Sequence, residues 1–553
     1  MSTPAAAHSR SDALLSLAPA GEMTLIDQLL AEQRQLTAVE RFSQKHARAD
    51  FPAQARYYRD LIPLSKPAPG QQYAFAVDLD KCTGCKACVS ACHSLNGLED
   101  EETWRDVGTL FGHQAQKPYQ QTVTTACHHC AEPGCLEGCP VAAYDKDAET
   151  GIVRHLDDQC IGCQYCTMKC PYDVPKYSER LGIVRKCDMC HERLAVGEAP
   201  ACVQACPHEA ITIQFVDVAE VTAAAQPGAQ MLPGAYDSSY TKPTTRYTSK
   251  RPIPANALPA DAFALHLEHP HWPLIIMLVL TQLAVGMFAA QAALALTGSH
   301  AFDYASFGLA VLGFGALNLG LFAAVFHLGR PMGAWRFFLG LRTSWMSREI
   351  LAFSALPGAA IVAAASAWFL PATWMAAAAA VGAAFMGFVA ILTSVMIYVD
   401  TRRAYWKPSL TAPKFYGAAL TLGAASVPLV LVASTFVQPA DFSMAMRISA
   451  ALAALLQGAL FVWELAHDRR ALRDPAAPTH ASSRIIYELL PAVSRLRLAL
   501  VGLSLVLWIT LVIAPATALA AAPLALGLAV LAQVAERYTF FSAVVALRMP
   551  RGI

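Results

Sequence analysis

All 16 cysteines of this 553-residue chain fall between Cys82 and Cys206, in four consecutive groups of four, and none occurs in the long apolar half that follows. The groups are Cys82, Cys85, Cys88 and Cys92; Cys127, Cys130, Cys135 and Cys139; Cys160, Cys163, Cys166 and Cys170; and Cys187, Cys190, Cys202 and Cys206. A C-x2-C-x2-C run wraps the backbone so that three thiolates converge on one iron-sulfur cube, and the fourth ligand comes from elsewhere. Four groups therefore predict four [4Fe-4S] clusters. Three of the groups end in Cys-Pro. In the bacterial ferredoxin pattern that last cysteine ligates the other cluster of a pair, and spacing alone leaves the pairing open.

Zinc knuckles supply ligands in pairs and need no third cysteine two residues on. Disulfides suit small secreted domains, and no apolar signal segment opens the chain. His128 and His129 lie inside the second group, but complete thiolate sets leave them no vacancy, so they are expected beside a cluster or at the surface.

A hydrophobic share of 55% and a net charge of +1 describe neither half of the chain. The charge balance points to no nucleic-acid partner. Residues 1–70 form an N-terminal extension that is disordered to about Gly21 and then helical from Thr24 to Gln44, with Leu25, Leu29, Leu36, Val39 and Phe42 on one face. Residues 71–215 hold the clusters between two alternating runs, Tyr73 to Val77 and Ile211 to Phe215, which predicts an α+β ferredoxin-like domain. Residues 216–267, with prolines at 227, 233, 243, 252, 254 and 259, are expected to be an extended linker.

Residues 268–553 are expected to be an all-α polytopic membrane domain, with spans near 272–296, 305–326, 350–370, 373–398, 415–437, 446–464, 497–517 and 519–536. Eight spans put both termini on one side. That side collects Arg330, Arg336, Arg342, Arg348, Arg402, Arg403, Lys407, Lys414, Arg469, Arg470, Arg473, Arg484, Arg495, Arg497, Arg548 and Arg551, while the other connections hold almost nothing beyond Arg447. The excess of positive charge places the cluster domain and both termini in the cytoplasm, against an inner membrane.

Ionisable residues avoid the span centres; His327, Glu349, Asp400, Glu464 and Glu536 lie near the cytoplasmic ends. This argues against a transmembrane proton relay. A membrane haem would need histidines well inside the spans, so no haem is expected. An apolar bundle with a polar pocket on the cluster side suits a quinone or quinol. His327 is the candidate to hydrogen-bond a quinone oxygen and exchange its proton, and Glu349 to pass that proton to water. Lys86 and Lys169, beside cluster cysteines, are candidate potential-tuning charges or solvated surface lysines.

The runs Cys82-Thr-Gly-Cys-Lys-Ala-Cys88, Cys160-Ile-Gly-Cys-Gln-Tyr-Cys166 and Cys187-Asp-Met-Cys190 resemble the four-cluster electron-transfer subunit of dimethyl sulfoxide reductase-like molybdoenzymes. His271-Trp-Pro-Leu274, His327-Leu-Gly-Arg-Pro-Met332, Ser344-Trp-Met-Ser-Arg-Glu-Ile350 and Glu536-Arg-Tyr538 resemble the anchor subunit of the same family. The resemblance implies four ligand sets: Cys82, Cys85, Cys88 with Cys206; Cys187, Cys190, Cys202 with Cys92; Cys127, Cys130, Cys135 with Cys170; and Cys160, Cys163, Cys166 with Cys139.

It also implies a quinol site at His327 and Glu349, a separate molybdopterin-containing catalytic subunit, and an electron-transfer and anchoring role, without substrate chemistry, for the polypeptide itself. Fusion of two normally separate subunits, with the charge asymmetry, is similar to the sulfite-oxidising branch. Alternatives are the same relay serving a polysulfide, tetrathionate or nitrite-linked enzyme, or a structural anchor without a quinone site. A transporter with a regulatory cluster domain would need broken helices and midplane polar groups.

Overall fold

A computed structural model describes residues 24–35, 37–48, 53–114, 117–297, 301–436 and 442–551. The N-terminal stretch expected to be disordered lies outside them, as do Leu36 and the side chain of Phe42. The single helix expected from Thr24 to Gln44 is two, Leu25–Arg34 and Ala38–Arg48. Each starts on its own capping box: Asp27 N–H donates to Thr24 Oγ1 at 3.2 Å and Glu40 N–H donates to Thr37 Oγ1 at 3.2 Å. The second threonine cap explains the break.

Among the described residues ten strands follow: β1 (Gln71–Asp78), β2 (Asp106–Gln114), β3 (Lys117–Thr125), β4 (Tyr144–Lys146), β5 (Val153–His155), β6 (Lys176–Ser178), β7 (Ile183–Arg185), β8 (Ile211–Asp217), β9 (Arg246–Thr248) and β10 (Leu258–Pro259). The two alternating runs pair with each other, β1 antiparallel to β8, with Tyr73 opposite Phe215 and Val77 opposite Ile211. Residues 72–77 are all buried; Gln72 Nε2 donates to the His129 carbonyl at 2.8 Å and the Phe75 ring lies 6.3 Å from that of His129.

The segment 216–267 is extended but packed. Its β9 runs parallel to β1 and its β10 pairs with β2. Thr244 Oγ1 donates to the His128 carbonyl at 2.7 Å, and Thr241, Thr244 and Thr245 are buried. This stretch adds an edge strand to each of two three-stranded sheets of the cluster domain before the polypeptide enters the helical bundle.

Among the described residues eight helices are long and apolar enough to cross a membrane: Trp272–Leu296, Asp303–Val325, Trp345–Phe369, Trp374–Val399, Pro408–Thr435, Ser443–Arg473, Pro491–Ile513 and Pro515–Ser542. The first and fifth are central, 67% and 72% buried, against 28% or less for the second, third, sixth and seventh. They touch backbone to backbone: a Cβ on Gly286 would lie 2.0 Å from the Ala419 carbonyl oxygen. Small residues give such helices the close approach that apolar surface alone does not drive in lipid.

At the end of the bundle nearest the cluster domain, ionisable groups tie the last span to the two central ones and the sixth to the seventh. Lys414 Nζ lies 2.9 Å from Glu536, Arg537 bonds Glu536 and donates to Gln282 at 2.9 Å, and Arg497 pairs with Glu464. Glu536 sits near a helix end, as expected, whereas Glu464 lies well inside its helix, which continues past the expected span end to Arg473. Their cationic partners stand in the basic connections and in the Glu536-Arg-Tyr538 run, but nothing in the sequence specifies these pairings.

Candidate electron-transfer site

The cluster loops repeat one backbone solution. In the first and third groups a glycine two residues after the leading cysteine, Gly84 and Gly162, has φ +76° and +69°, and the residue after the second cysteine, Lys86 or Gln164, is also left-handed. Two left-handed residues in a tight loop turn successive cysteines inward. After each Cys-Pro the third residue on from the cysteine is left-handed again, at Ala142, Asp173 and Glu209. That turn aims the next amide at sulfur: Ala143 N–H donates to Cys139 Sγ and Ala210 N–H to Cys206 Sγ, both at 3.2 Å.

Cysteines far apart in sequence meet. Cys82, Cys85, Cys88 and Cys206 ring one cavity, and Cys127, Cys130, Cys135 and Cys170 ring another. Cys92 lies within electrostatic reach of Cys190 and Cys202, and Cys187 within reach of Cys92. Cys139 neighbours Cys160, Cys163 and Cys166 in the same sense. Among the described residues no three His, Cys, Asp or Glu are placed to hold a single metal ion. A four-iron cube holds its thiolates farther apart than one ion does, and amides donating to sulfur suit thiolate ligands.

Between neighbouring sets stand large buried side chains. Arg105, 2% exposed, is within electrostatic reach of Cys88, Cys92, Cys187 and Cys202. Lys186, 3% exposed, places Nζ 3.7 Å from Cys127 Sγ. Tyr144 lies among Cys135, Cys139 and Cys166. His128 and His129 are buried rather than at the surface: His128 Nδ1 bonds Thr245 Oγ1 at 2.8 Å, and Val153 N–H donates to His129 Nδ1 at 3.1 Å. Lys86 is exposed, whereas Lys169 is buried and ion-paired with Asp400 at 2.7 Å.

The set around Cys139, Cys160, Cys163 and Cys166 sits on the helical bundle. Ser344 Oγ donates to the Gly138 carbonyl at 2.7 Å, Gly340 N–H to the Pro140 carbonyl at 3.0 Å and Arg330 N–H to the Ile161 carbonyl at 3.0 Å. Arg330 and Arg336 also donate to the Asp157 and Asp158 carbonyls, at 2.9 and 2.7 Å. Tyr165 donates to the Ile397 carbonyl at 3.1 Å and to Asp400 at 3.2 Å.

His327 Nε2 contacts the Cys163 carbonyl oxygen at 3.2 Å. A carbonyl only accepts, so Nε2 carries the proton and Nδ1 keeps its lone pair. Burial pushes the imidazole pKa down to about 4, so the ring is neutral near pH 7. The ring of His271 packs edge-on against it at 5.0 Å, and burial, then the neighbouring His327, holds His271 down to about 3. Ser394 Oγ donates to Glu349 Oε1 at 2.5 Å. No hydrogen bond joins His327 to Glu349 among the described residues; they flank the Cys163 to Tyr165 segment, since Glu349 lies within electrostatic reach of Tyr165.

Gly329 permits this approach. A Cβ there would stand 2.2 Å from the Gly182 carbonyl oxygen, backbone against backbone, so neither side can yield cheaply. Gly329→Ala is expected to destabilise the contact by at least about 1–3 kcal/mol. The expected readouts are a lower melting temperature and faster proteolysis of residues 216–267; unchanged values for both would contradict the packing described.

Fold and site together define an iron-sulfur electron carrier built onto a multi-pass membrane anchor. Residues 265–542, half of the chain, match the DMSO reductase anchor subunit (DmsC) family, and the chain belongs to that family. Residues 119–216 match a 4Fe-4S dicluster domain and 73–94 a 4Fe-4S binding domain.

Over 156 residues the sequence is 38% identical to the B subunit of the anaerobic dimethyl sulfoxide reductase of Haemophilus influenzae, an alignment that covers 27% of this protein and 76% of that one. The Escherichia coli counterpart is 39% identical over 154 residues, covering 26% and 75%. The formate dehydrogenase-O iron-sulfur subunit of Escherichia coli is 34% identical over 157 residues, covering 26% and 52%. The protein is thus an electron-transfer subunit and its membrane anchor in one polypeptide, not a catalytic subunit.

Proposed function

We propose that the protein passes electrons between the quinone pool and a separate molybdopterin-containing catalytic subunit, through four [4Fe-4S] clusters held by the four cysteine sets above. The clusters supply one-electron storage and transfer. One observation carries the quinone end: His327, at the rim of the bundle, is bonded to the carbonyl of Cys163. A quinone bound at that imidazole is one residue away from the nearest cluster ligand. The lone pair on Nδ1 accepts the hydrogen bond of a quinol hydroxyl and takes its proton as electrons leave. Glu349, held by Ser394, receives a proton near Tyr165 and releases it toward water.

The cluster domain rests on the connections between the second and third and between the fourth and fifth spans, which carry much of the excess arginine. That asymmetry supports a cytoplasmic cluster domain in the inner membrane. The catalytic partner then works on the cytoplasmic side.

The test is affinity purification of the protein from its native membranes with metal analysis. About 16 irons per polypeptide and molybdenum in a copurifying subunit are expected. Zinc in place of iron, or a complex without molybdenum, would overturn the reading.

A further inference from the structure

We propose that Arg105 and Lys186 are fixed positive charges shared between neighbouring clusters, and that each raises the reduction potentials of two clusters at once. The inference rests on the four-cluster reading above. Both side chains are almost fully buried, at 2% and 3% exposure. Such cations cost several kcal/mol to bury unless an anion compensates them.

Their protein partners do not compensate them. Lys186 Nζ donates to the carbonyls of Val153 and Cys187 and lies 3.7 Å from Cys127 Sγ. Arg105 donates to Thr124 Oγ1 at 3.2 Å, and its guanidinium covers the Phe75 ring at 4.6 Å. Arg105 Nη2 is buried with no hydrogen-bond partner. The strongest anionic influences are thiolates: Cys202, Cys88, Cys187 and Cys92 around Arg105, and Cys127, Cys135 and Cys187 around Lys186, with the Asp188 carboxylate a weaker one that is itself bonded to His191. Four thiolates about a cube leave it net negative, so the clusters themselves are the missing counter-charge.

The placement is between sets rather than within one. Arg105 bridges the sets containing Cys88 and Cys202, and it reaches Cys88 through Thr124, whose Oγ1 lies 3.6 Å from that sulfur. Lys186 bridges the sets containing Cys187 and Cys127. The third junction, toward the bundle, is filled by Tyr144, which carries no fixed charge. A cation beside a cluster favours the more negative reduced form, and a cation shared by two favours reduction of both. The set containing Cys187 is flanked by both cations.

The test is a redox titration of the purified whole complex, followed by the paramagnetic resonance signals of each cluster, for wild type, Lys186→Met, Lys186→Arg and Arg105→Gln. Lys186→Met is expected to lower two midpoint potentials together, each by at least a tenfold change in the oxidised-to-reduced ratio, about 59 mV for one electron. The other two signals should stay put, and Lys186→Arg should restore the pair. Arg105→Gln should lower a different pair sharing one member with the first.

Potentials that do not move in Lys186→Met with its iron intact, or that move equally in all four clusters, would overturn the proposal. If Lys186→Met loses iron, Arg105→Gln decides by the same criterion. Fewer than four cluster signals in wild type would instead sink the four-cluster reading.

Discussion

His327→Ala should leave the iron content of the complex intact and slow quinol-dependent cluster reduction by at least about 100-fold, the usual contribution of one positioned acid-base group. The imidazole is hydrogen-bonded to the cluster domain at the Cys163 carbonyl, so its loss removes that bond from the interface. His327→Gln separates chemistry from packing. A glutamine amide can still donate to the carbonyl but cannot accept the quinol proton, so it should be nearly as slow as alanine. Dithionite, which needs no quinone site, should reduce the clusters of both variants at wild-type rates. A glutamine variant that works normally would show that His327 serves only to join the two domains.

Cys163→Ser should have the second large effect, and a different one. The set formed by Cys139, Cys160, Cys163 and Cys166 is the one seated on the bundle, through Ser344, Gly340 and Arg330. Losing its cluster should remove about four irons and break the relay between quinol and the other three clusters. Dithionite should still reduce those three, whereas quinol should reduce none at an appreciable rate. The equivalent change in the set containing Cys82, Cys85, Cys88 and Cys206 should spare quinol reduction of the rest. Equal consequences from both variants would contradict a linear order starting at the membrane.

What the sequence makes legible is what local spacing encodes. A C-x2-C-x2-C loop must curl around its own cargo, and eight apolar runs of bilayer length must become helices. Both needs are met within a few residues or turns. The meeting of Cys206 with Cys82, or of Cys139 with Cys160, is a tertiary crossing that no spacing specifies; only family resemblance points to it. The packing of residues 216–267 is equally hidden, since β9 joins β1 in parallel from far along the sequence.

Charge near sulfur is hard to read for a related reason. Lys86 and Lys169 draw notice because they neighbour cysteines, yet one is exposed and the other is occupied by Asp400. Lys186 carries the same signal, immediately before Cys187, and nothing in the sequence sets it above the other two. Arg105 lies far from every cysteine in sequence and gives no signal at all; its place follows from β2 lying beside the loops. Lys414 and Arg537 are visible in the sequence, in a basic connection and in the Glu536-Arg-Tyr538 run, but their burial depends on which helices neighbour one another.

The proposed exchange of electrons between a membrane quinol and the clusters predicts that quinol reduces them. It is tested most directly by adding quinol to oxidised membranes containing the whole complex and following the iron-sulfur resonance signals in time. The signals should appear within enzyme turnover times and be absent in His327→Ala membranes treated alike. Clusters that stay oxidised with quinol in the wild type, yet reduce fully with dithionite, would contradict the account.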